Sequence, residues 1–186
     1  QHLAYGALTS AGIGVAYYST ENTVKSLITQ MDSLSLCTID HFLVDFMRIY
    51  PLTMRKEIAN TDKPFRLLKR HFAALPKQFG LIIVDSITLI VAHSDPVSII
   101  DFFSACKDLC DGGRSIFLVA HTYAFDEEVL ARTRSLCDAH LKIRLEQMGD
   151  KLVKIMEVLK VRGADSRTGD TVGFEIEPKR GMRIIP

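Results

Sequence analysis

Polar residues follow directly after three apolar runs of this sequence, and their types suit the binding of phosphates and metal ions. The first run is followed by residues 19–23 (STENT), the second by Asp85 and Ser86, and the third by His121 and Thr122. Ligands of open α/β sheets bind outside the carboxyl ends of the strands. If the three runs are neighbouring parallel strands, the sequence predicts a ligand site at their shared edge.

Two carboxylates of this set suit phosphate chemistry. Residues 81–85 (LIIVD) have the form of a Walker B strand, in which the carboxylate of Asp85 holds a magnesium ion, directly or through water, beside phosphates. Glu21 can orient or deprotonate an attacking water, which needs a carboxylate within hydrogen-bond reach. Each has an ordinary alternative. Apolar strands often end in Asp without a function, and an acid near a helix N-terminus is favoured by the helix dipole.

Two further pairs of polar residues suit contact with phosphates. His121 and Thr122 can sense a γ-phosphate by hydrogen bonding, although a histidine at a strand end can equally be satisfied within the fold. Lys160 and Arg162 lie two residues apart in a strand-like segment and therefore point to the same face. Two such cations can reach the phosphates of a neighbouring subunit, as an arginine finger does. The alternative for this pair is a solvated strand tip.

The periodicity of apolar residues predicts the elements that carry these side chains. The second helix has Thr20 or Asn22 as its candidate cap, and the last helix has Asp126. Residues 81–84 are a continuous apolar run, which predicts a strand covered on both faces, and residues 115–120 (SIFLVA) predict another fully buried strand. The predicted helices span 1–9, 23–34, 63–75, 97–109 and 126–136, and the predicted strands span 13–19, 46–50, 81–84 and 115–120.

The pattern changes in the last third of the chain, where two hairpins are predicted. Residues 139–146 and 151–162 are strand-like and joined across 148–150, and residues 171–177 and 182–185 are joined across 178–181. Strand–helix units followed by hairpins predict an α/β fold with a mainly parallel sheet flanked by helices and an antiparallel C-terminal extension. No repeat or long linker divides the chain, so residues 1–186 are predicted to form one domain.

Composition excludes several classes of function. The 186 residues are 47% hydrophobic and 24% charged and carry a formal net charge of +1, so no field of one sign draws in nucleic acid. No apolar run reaches the roughly 20 residues that span a bilayer. The four cysteines form no CxxC pair or zinc-type spacing, and Cys106 and Cys110 would lie one turn apart on a helix. We therefore expect a reducing, cytoplasmic setting and no direct membrane insertion.

The order of the motifs STENT, LIIVDS, LVAHT and LKVRG resembles the KaiC-like branch of the RecA superfamily. More narrowly, the segments YYSTENTVKSLITQM, MRIYPL, IIVDSITLI and HTYAFDEE resemble the FlaH (ArlH) family, the ATP-binding proteins of the archaellum motor. The resemblance covers almost the whole chain. It implies ATP and Mg²⁺ as ligands, with Glu21 as the catalytic glutamate and Asp85, beside Ser86, as the Walker B aspartate. It also implies that Lys160 and Arg162 are the KxR pair that reaches a neighbouring subunit's nucleotide.

The same resemblance implies a function and a set of partners. The implied function is that of a ring-forming regulatory or assembly component of the archaellum, which is a hexamer when ATP is bound. It would act with the motor ATPase, the membrane platform protein and the cytosolic ring proteins at the cytoplasmic face of the membrane. The alternative is a DNA-recombination ATPase of the RecA/RadA type, because one fold serves several functions. Near-neutral charge and the lack of a basic, Gly-rich loop, including residues 163–173, count against this alternative.

One departure from the family is large. A P-loop needs a GxxxxGK[ST] segment, and none occurs in these 186 residues. We therefore expect a chain that lacks the N-terminal strand and the Walker A loop of the family. Such a chain should bind ATP poorly and be inactive alone, whereas a longer form that includes the loop could hydrolyse ATP slowly. Tyr17 and Tyr18 are candidates for contact with adenine, although one of them must face the other side of the sheet.

Overall fold

Four parallel strands form the first sheet of the protein. The structure, a computed structural model, describes residues 1–53, 63–149, 151–163 and 169–185. The sheet has the order β2-β1-β3-β4, and the predicted strand positions are confirmed to within two residues. Its strands are β1 (Val15–Ser19), β2 (Met47–Pro51), β3 (Leu81–Asp85) and β4 (Ser115–Val119).

Helices cover both faces of this sheet, as its apolar strands require. Alternate residues of β1 point to opposite faces, so that Val15 and Tyr17 belong to one core and Ala16 and Tyr18 to the other. Helices α1 (His2–Thr9) and α2 (Val24–Ser33) pack on the first face. Helices α4 (Lys63–Ala74) and α6 (Pro96–Asp111) pack on the second, and α7 (Glu127–Leu136) packs against α6.

The second core is built around aromatic side chains. The rings of Phe65 and Phe102 stack with centroids 4.4 Å apart, and Phe102 also meets Phe72 and Phe103. Phe65 and Phe72 lie on α4, whereas Phe102 and Phe103 lie on α6, so these rings join the two helices over the sheet. The same core contains the residues of β1 and β3 that point to this face, so the layer packs directly on both strands.

Three short helices escaped prediction because each has only three to five residues, too few to show a helical period. They are α3 (Ile39–Leu43), α5 (Thr88–Ala92) and a 3₁₀ turn over Thr122–Ala124. The cap assigned to the second helix was wrong. Thr23, not Thr20 or Asn22, lies at the N-cap of α2 and accepts a hydrogen bond from the backbone N–H of Ser26 at 3.2 Å. Thr20 is instead bonded to the end of β3.

Asp126 lies at the N-cap position of α7, as predicted, but its side chain makes no capping hydrogen bond. Asp95, which the sequence analysis did not single out, caps α6 by accepting from the backbone N–H of Ser98 at 2.9 Å. Pro96 follows it at the first helical position, where its missing N–H costs no hydrogen bond. The sequence pattern therefore located both helices correctly but identified the cap chemistry of neither.

Strand β4 contradicts the prediction of a fully buried strand. Phe117 is 37% exposed, and the other side chains of β4 are exposed or half-buried. Within the described part of the chain β4 pairs only with β3, so it lies at an edge of the sheet. A mostly apolar cleft of about 460 Å³ runs beside it, between α1 and the starts of β3 and β4, and Ile13, Leu81 and Phe117 line it.

The two predicted hairpins form a second, antiparallel sheet in the order β5-β6-β7-β8. Asp150 and residues 164–168, which the sequence analysis placed in connecting segments, lie outside the described residues. Ion pairs between Arg144 and Glu157 and between Arg183 and Glu177 cover one face. The strands of this sheet are β5 (Ala139–Met148), β6 (Lys151–Val161), β7 (Thr171–Glu177) and β8 (Gly181–Ile185).

The opposite face of the second sheet is apolar and open. Four of its side chains are 59–64% exposed, an arrangement typical of surfaces that contact another protein. The strand registers place all four on the same face, because opposite residues of antiparallel strands point the same way. They are Ile143, Leu145, Leu152 and Ile184. Among the described helices none is both long enough and apolar enough to cross a bilayer.

The cysteines differ in access, which gives a direct test of the packing. Cys37 is exposed, whereas Cys106 is buried under α6 and burial raises the pKa of its thiol. Because the thiolate is the reactive form, we expect Ellman's reagent to modify Cys37 within minutes and Cys106 only on unfolding. A Cys37→Ser variant should lose the fast phase. Retention of that phase would mean that another cysteine is as accessible as Cys37, which would contradict this packing.

Candidate functional site

The three polar strand ends meet at one edge of the parallel sheet. Ser19, the last residue of β1, pairs with Asp85, the last residue of β3, and Asp85 pairs with Val119 of β4. His121 therefore follows β4 two residues beyond the level of Asp85. The predicted convergence of the three segments is confirmed at the level of the backbone.

Reciprocal hydrogen bonds tie the end of β1 to the end of β3. The hydroxyl of Thr20 accepts from the backbone N–H of Ser86 at 3.1 Å and donates to its carbonyl at 3.2 Å. The backbone N–H of Thr20 donates to the carbonyl of Asp85 at 3.0 Å. Ser86 is buried by these contacts. The loop that carries Glu21 is thus anchored directly beside the residues after β3.

Glu21 lies in a turn that Ser19 organises. The buried hydroxyl of Ser19 accepts from the backbone N–H of Asn22 at 2.9 Å and, more weakly, from that of Glu21 at 3.4 Å. The carboxylate of Glu21 is exposed at the edge of the sheet. This arrangement leaves the carboxylate open to a ligand while its backbone is fixed.

The carboxylate of Asp85 has a specific partner. The buried phenol of Tyr17 donates to Oδ2 of Asp85 at 2.6 Å. Burial, followed by this hydrogen bond and the charges of Asp85 and Glu21, raises the pKa of the Tyr17 phenol well above its ordinary value. Both carboxylates therefore act on one phenol, which holds Asp85 by one oxygen.

Neither tyrosine of β1 is placed to contact adenine. Tyr17 is 1% exposed, and Tyr18 is 2% exposed on the opposite face of the sheet. The Tyr18 ring stacks on Tyr50 with centroids 4.8 Å apart, and its phenol bonds Nδ1 of His71 at 2.5 Å. The adenine contact considered for these two side chains is therefore wrong, because both rings are buried and both phenols are hydrogen-bonded within the fold.

His121 is held by Thr88, the first residue of α5. The hydroxyl of Thr88 accepts from the backbone N–H of His121 at 3.1 Å and lies 3.0 Å from Nδ1 of its ring. The exposed ring of Tyr123 stacks on the imidazole with centroids 5.3 Å apart. Thr122 begins the 3₁₀ turn with its side chain exposed beside the histidine. Both predicted residues therefore lie at the edge, and the imidazole is fixed.

Lys160 and Arg162 point to the same face, as predicted, but they contact the end of α7 rather than the strand edge. Lys160 Nζ donates to the carbonyls of Arg134 and Ser135 at 2.9 and 3.0 Å. Arg162 donates to the carbonyl of Ser135 at 3.3 Å and pairs with Asp138 at 3.3 Å. The structure does not bring them together with Glu21 or Asp85 through any contact of the described residues.

Two curated proteins are similar to the chain over most of its length. It is 28% identical over 169 residues to a protein of Sulfolobus acidocaldarius, covering 90% of the chain and 74% of the relative. It is 26% identical over 189 residues to a protein of Methanocaldococcus jannaschii, covering 99% of the chain and 78% of the relative. Both relatives bear the name archaeal flagellar ATP-binding protein FlaH. No protein-family model matches the chain.

The chain also shares its fold with solved structures of FlaH and of a KaiC-like protein. The chain superposes on the flagellar accessory protein FlaH of M. jannaschii with a TM-score of 0.87 at 24% identity, covering 99% of the chain and 81% of that structure. The chain is similar in sequence to two proteins named FlaH and shares a FlaH/KaiC-like fold. A KaiC-like protein of Pyrococcus horikoshii gives a TM-score of 0.72 at 14% identity over 98% of the chain and 81% of that structure.

The donor set at the edge of this FlaH/KaiC-like fold fits one magnesium ion better than a protein-caged metal. Within residues 1–53, 63–149, 151–163 and 169–185, no group of three or more His, Cys, Asp or Glu side chains could hold a metal. Magnesium usually binds through one or two carboxylates together with substrate phosphates and water. Asp85 could supply such a carboxylate, because the hydrogen bond from Tyr17 engages its Oδ2 and not its Oδ1.

Sequence reasoning missed the roles of three residues that hold the candidate site together. Tyr17 holds Asp85, Thr88 holds His121, and Thr20 joins β1 to β3. Each acts across a strand or loop boundary, so its role depends on the register of parallel strands. Thr88 follows the LIIVDS motif by two residues, which is the one signal that could have drawn attention to it.

Proposed function

We propose that the chain is an ATP-binding component of the archaellum motor and that its nucleotide lies at the carboxyl edge of the parallel sheet. One observation carries the proposal. Glu21, Asp85 and His121 meet at this edge in a chain similar to proteins named archaeal flagellar ATP-binding protein FlaH. These side chains are of the types that coordinate Mg²⁺, position water and bond a phosphate.

Each residue has a defined part in this proposal. Asp85 would hold the magnesium ion of Mg–ATP, directly or through water, and Mg²⁺ would offset the charge of the phosphates there. Ser86 would lie beside the ion, and His121 with Thr122 would bond the terminal phosphate. Glu21 would orient a water molecule for slow hydrolysis. The fixed backbone of residues 19–22 and the Tyr17–Asp85 hydrogen bond support these roles, since they position the backbone of Glu21 and the carboxylate of Asp85 before a ligand arrives.

The side of the site that cradles the phosphates is not among these 186 residues, which contain no GxxxxGK[ST] segment. In the proposal, the strand that leads into this loop pairs with the free edge of β4. The open edge and the apolar cleft beside Phe117 support this position, because an unpaired strand edge accepts a further strand. We therefore propose that the chain binds ATP tightly only when that strand and loop are supplied.

Ring formation and the partners also belong to the proposal. An ATP-bound homo-oligomer, hexameric in the FlaH reading, would dock on the motor ATPase, the membrane platform protein and the cytosolic ring proteins. It would do so at the cytoplasmic face of the membrane. The exposed apolar face of the second sheet supports contact with another protein surface. Lys160 and Arg162 would serve as the inter-subunit finger after leaving the carbonyls of α7 that they now contact.

The test is an ATP titration of an N-terminally extended form that includes the phosphate-binding loop. We expect Asp85→Asn to weaken Mg–ATP binding about tenfold or more. Affinity for ATP in excess chelator should change little, because the amide keeps the hydrogen bond from Tyr17 but binds Mg²⁺ poorly. The matched control is Asp108→Asn, an exposed carboxylate on α6 away from the edge.

Three results would contradict the proposal. The first is failure of the extended form to bind ATP, and the second is equal weakening of Mg–ATP binding by Asp85→Asn and Asp108→Asn. The third is binding of ATP by the 186-residue chain as tight as that of the extended form. The recombination alternative makes a separate demand. It requires single-stranded DNA binding that falls steeply with salt, because phosphate contacts release counterions. We expect no such binding from a chain of net charge +1.

A further inference from the structure

We propose that Thr88 is a positioning residue that fixes His121 as the tautomer with its proton on Nε2. This would make the neutral imidazole a hydrogen-bond donor at the edge of the sheet. The inference starts from two contacts of one hydroxyl. Thr88 Oγ1 lies 3.1 Å from the backbone nitrogen of His121 and 3.0 Å from Nδ1 of its ring.

Counting protons decides the direction of the second contact. The backbone N–H of His121 can only donate, so the hydroxyl accepts in the first contact and uses one lone pair. The hydroxyl then has one proton of its own to place. In the described part of the chain its remaining hydrogen-bond partner is Nδ1 of His121. Donation to Nδ1 satisfies both groups and leaves the ring proton on Nε2.

The opposite tautomer would leave a buried hydrogen-bond donor without an acceptor. If Nδ1 carried the proton, the hydroxyl would accept two hydrogen bonds and its own proton would have no acceptor among the described residues. Thr88 is 6% exposed, so little water is available to replace that acceptor. A buried donor without a partner is destabilising. The packing of α5 against the end of β4 therefore selects the Nε2–H form.

The outer side of the imidazole is free to meet a ligand. His121 is exposed, and within residues 1–53, 63–149, 151–163 and 169–185 the hydrogen bond of its imidazole goes only to Thr88. The stacked ring of Tyr123 limits rotation of the imidazole. Nε2–H therefore stays available at the sheet edge to which Asp85 and Glu21 also belong. It suits an anionic oxygen, and if the proposed function holds, that oxygen belongs to the terminal phosphate of ATP.

The tautomer can be read directly by ¹⁵N NMR of the imidazole of His121 at pH 8. We expect an unprotonated Nδ1 and a protonated Nε2 in the wild type. Thr88→Ser should give the same pattern, because it keeps the hydroxyl. Thr88→Val, which is nearly isosteric but lacks the hydroxyl, should shift the Nδ1 resonance to that of a nitrogen without a hydrogen bond. Thr133→Val is the control, because Thr133 is equally buried but bonds only within α7.

Binding of ATP and ADP to the extended form supplies the second readout. We expect Thr88→Val to reduce the preference for ATP over ADP about fivefold, with ADP affinity unchanged and Thr88→Ser like the wild type. A protonated Nδ1 in the wild type would overturn the inference. So would a Thr88→Val variant whose preference for ATP equals that of the wild type. If the wild type binds neither nucleotide, the proposed function fails. The assignment of the tautomer is tested separately by the ¹⁵N NMR spectrum.

Discussion

Tyr17→Phe is expected to lower the free energy of unfolding by about 1.5–3 kcal/mol, the range for a hydrogen bond to a charged group. The variant keeps the ring in its core beside Leu27 and Met31 and removes only the phenol oxygen. Asp85 then loses the donor that lies 2.6 Å from Oδ2. Urea unfolding at pH 7, compared with the wild type, measures the change.

The neighbouring residue supplies a matched control. Tyr18→Phe also removes a buried phenol of β1, but on the opposite face of the sheet, where its partner is the exposed His71. That hydrogen bond involves no carboxylate, so we expect a loss of only about 0.5–1.5 kcal/mol. If the two variants were equally stable, the Tyr17–Asp85 hydrogen bond would have no special weight.

The pH dependence of the free energy of unfolding tests whether the pKa of the Tyr17 phenol is raised in the folded protein. Burial raises the pKa of both Tyr17 and Tyr18, so each phenol stays protonated in the folded protein at a pH where an unfolded tyrosine, with a pKa near 10, ionises. The unfolded state then binds fewer protons than the folded state, and stability falls as the pH rises through about 10 and above. We expect Tyr17→Phe to show a shallower alkaline loss than the wild type. An identical slope would contradict the raised pKa.

The positions of the main elements could be predicted because the apolar pattern is strong where the core is strong. The run of residues 81–84 is buried and alternates between the two cores, and Phe65, Leu68 and Phe72, at helical spacing, are buried in the second core. The polar strand ends could also be predicted, since a parallel sheet brings carboxyl ends to one edge. The apolar pattern of a sequence shows which residues of one strand or helix are buried. Glu21, Asp85 and His121 each lie at or just after the end of such a strand, so the pattern was enough to locate them.

The contacts across elements could not be predicted. The apolar run of β4 does not say how many neighbours the strand has, and β4 is an edge strand in the described part of the chain. The partnership of Tyr17 with Asp85 follows from the register of β1 against β3, which one sequence does not contain. For the same reason Lys160 and Arg162 could be assigned to one face, whereas their contact with α7 could not be predicted.

Those two cations lead to the second large effect. The double variant Lys160→Met, Arg162→Met is expected to lower the free energy of unfolding by about 1–2 kcal/mol, because cations at a helix C-terminus bond its last carbonyls and favour the helix dipole. The carbonyls of Arg134 and Ser135 would lose their donors. Lys142→Met is the control, because its ion pair with Glu157, at 3.9 Å, is partly exposed and worth little.

Capping and the proposed finger can be separated by mixing two variants of the extended form. A finger acts on the nucleotide of a neighbouring subunit, so Lys160→Met mixed with Asp85→Asn should form some sites with an intact Asp85 and an intact Lys160. If the finger is real, the mixture should hydrolyse ATP faster than either variant alone. If Lys160 only caps α7, the mixture should equal the average of the two variants, and the unfolding loss should remain. An unchanged free energy of unfolding in the double variant would contradict the cap itself.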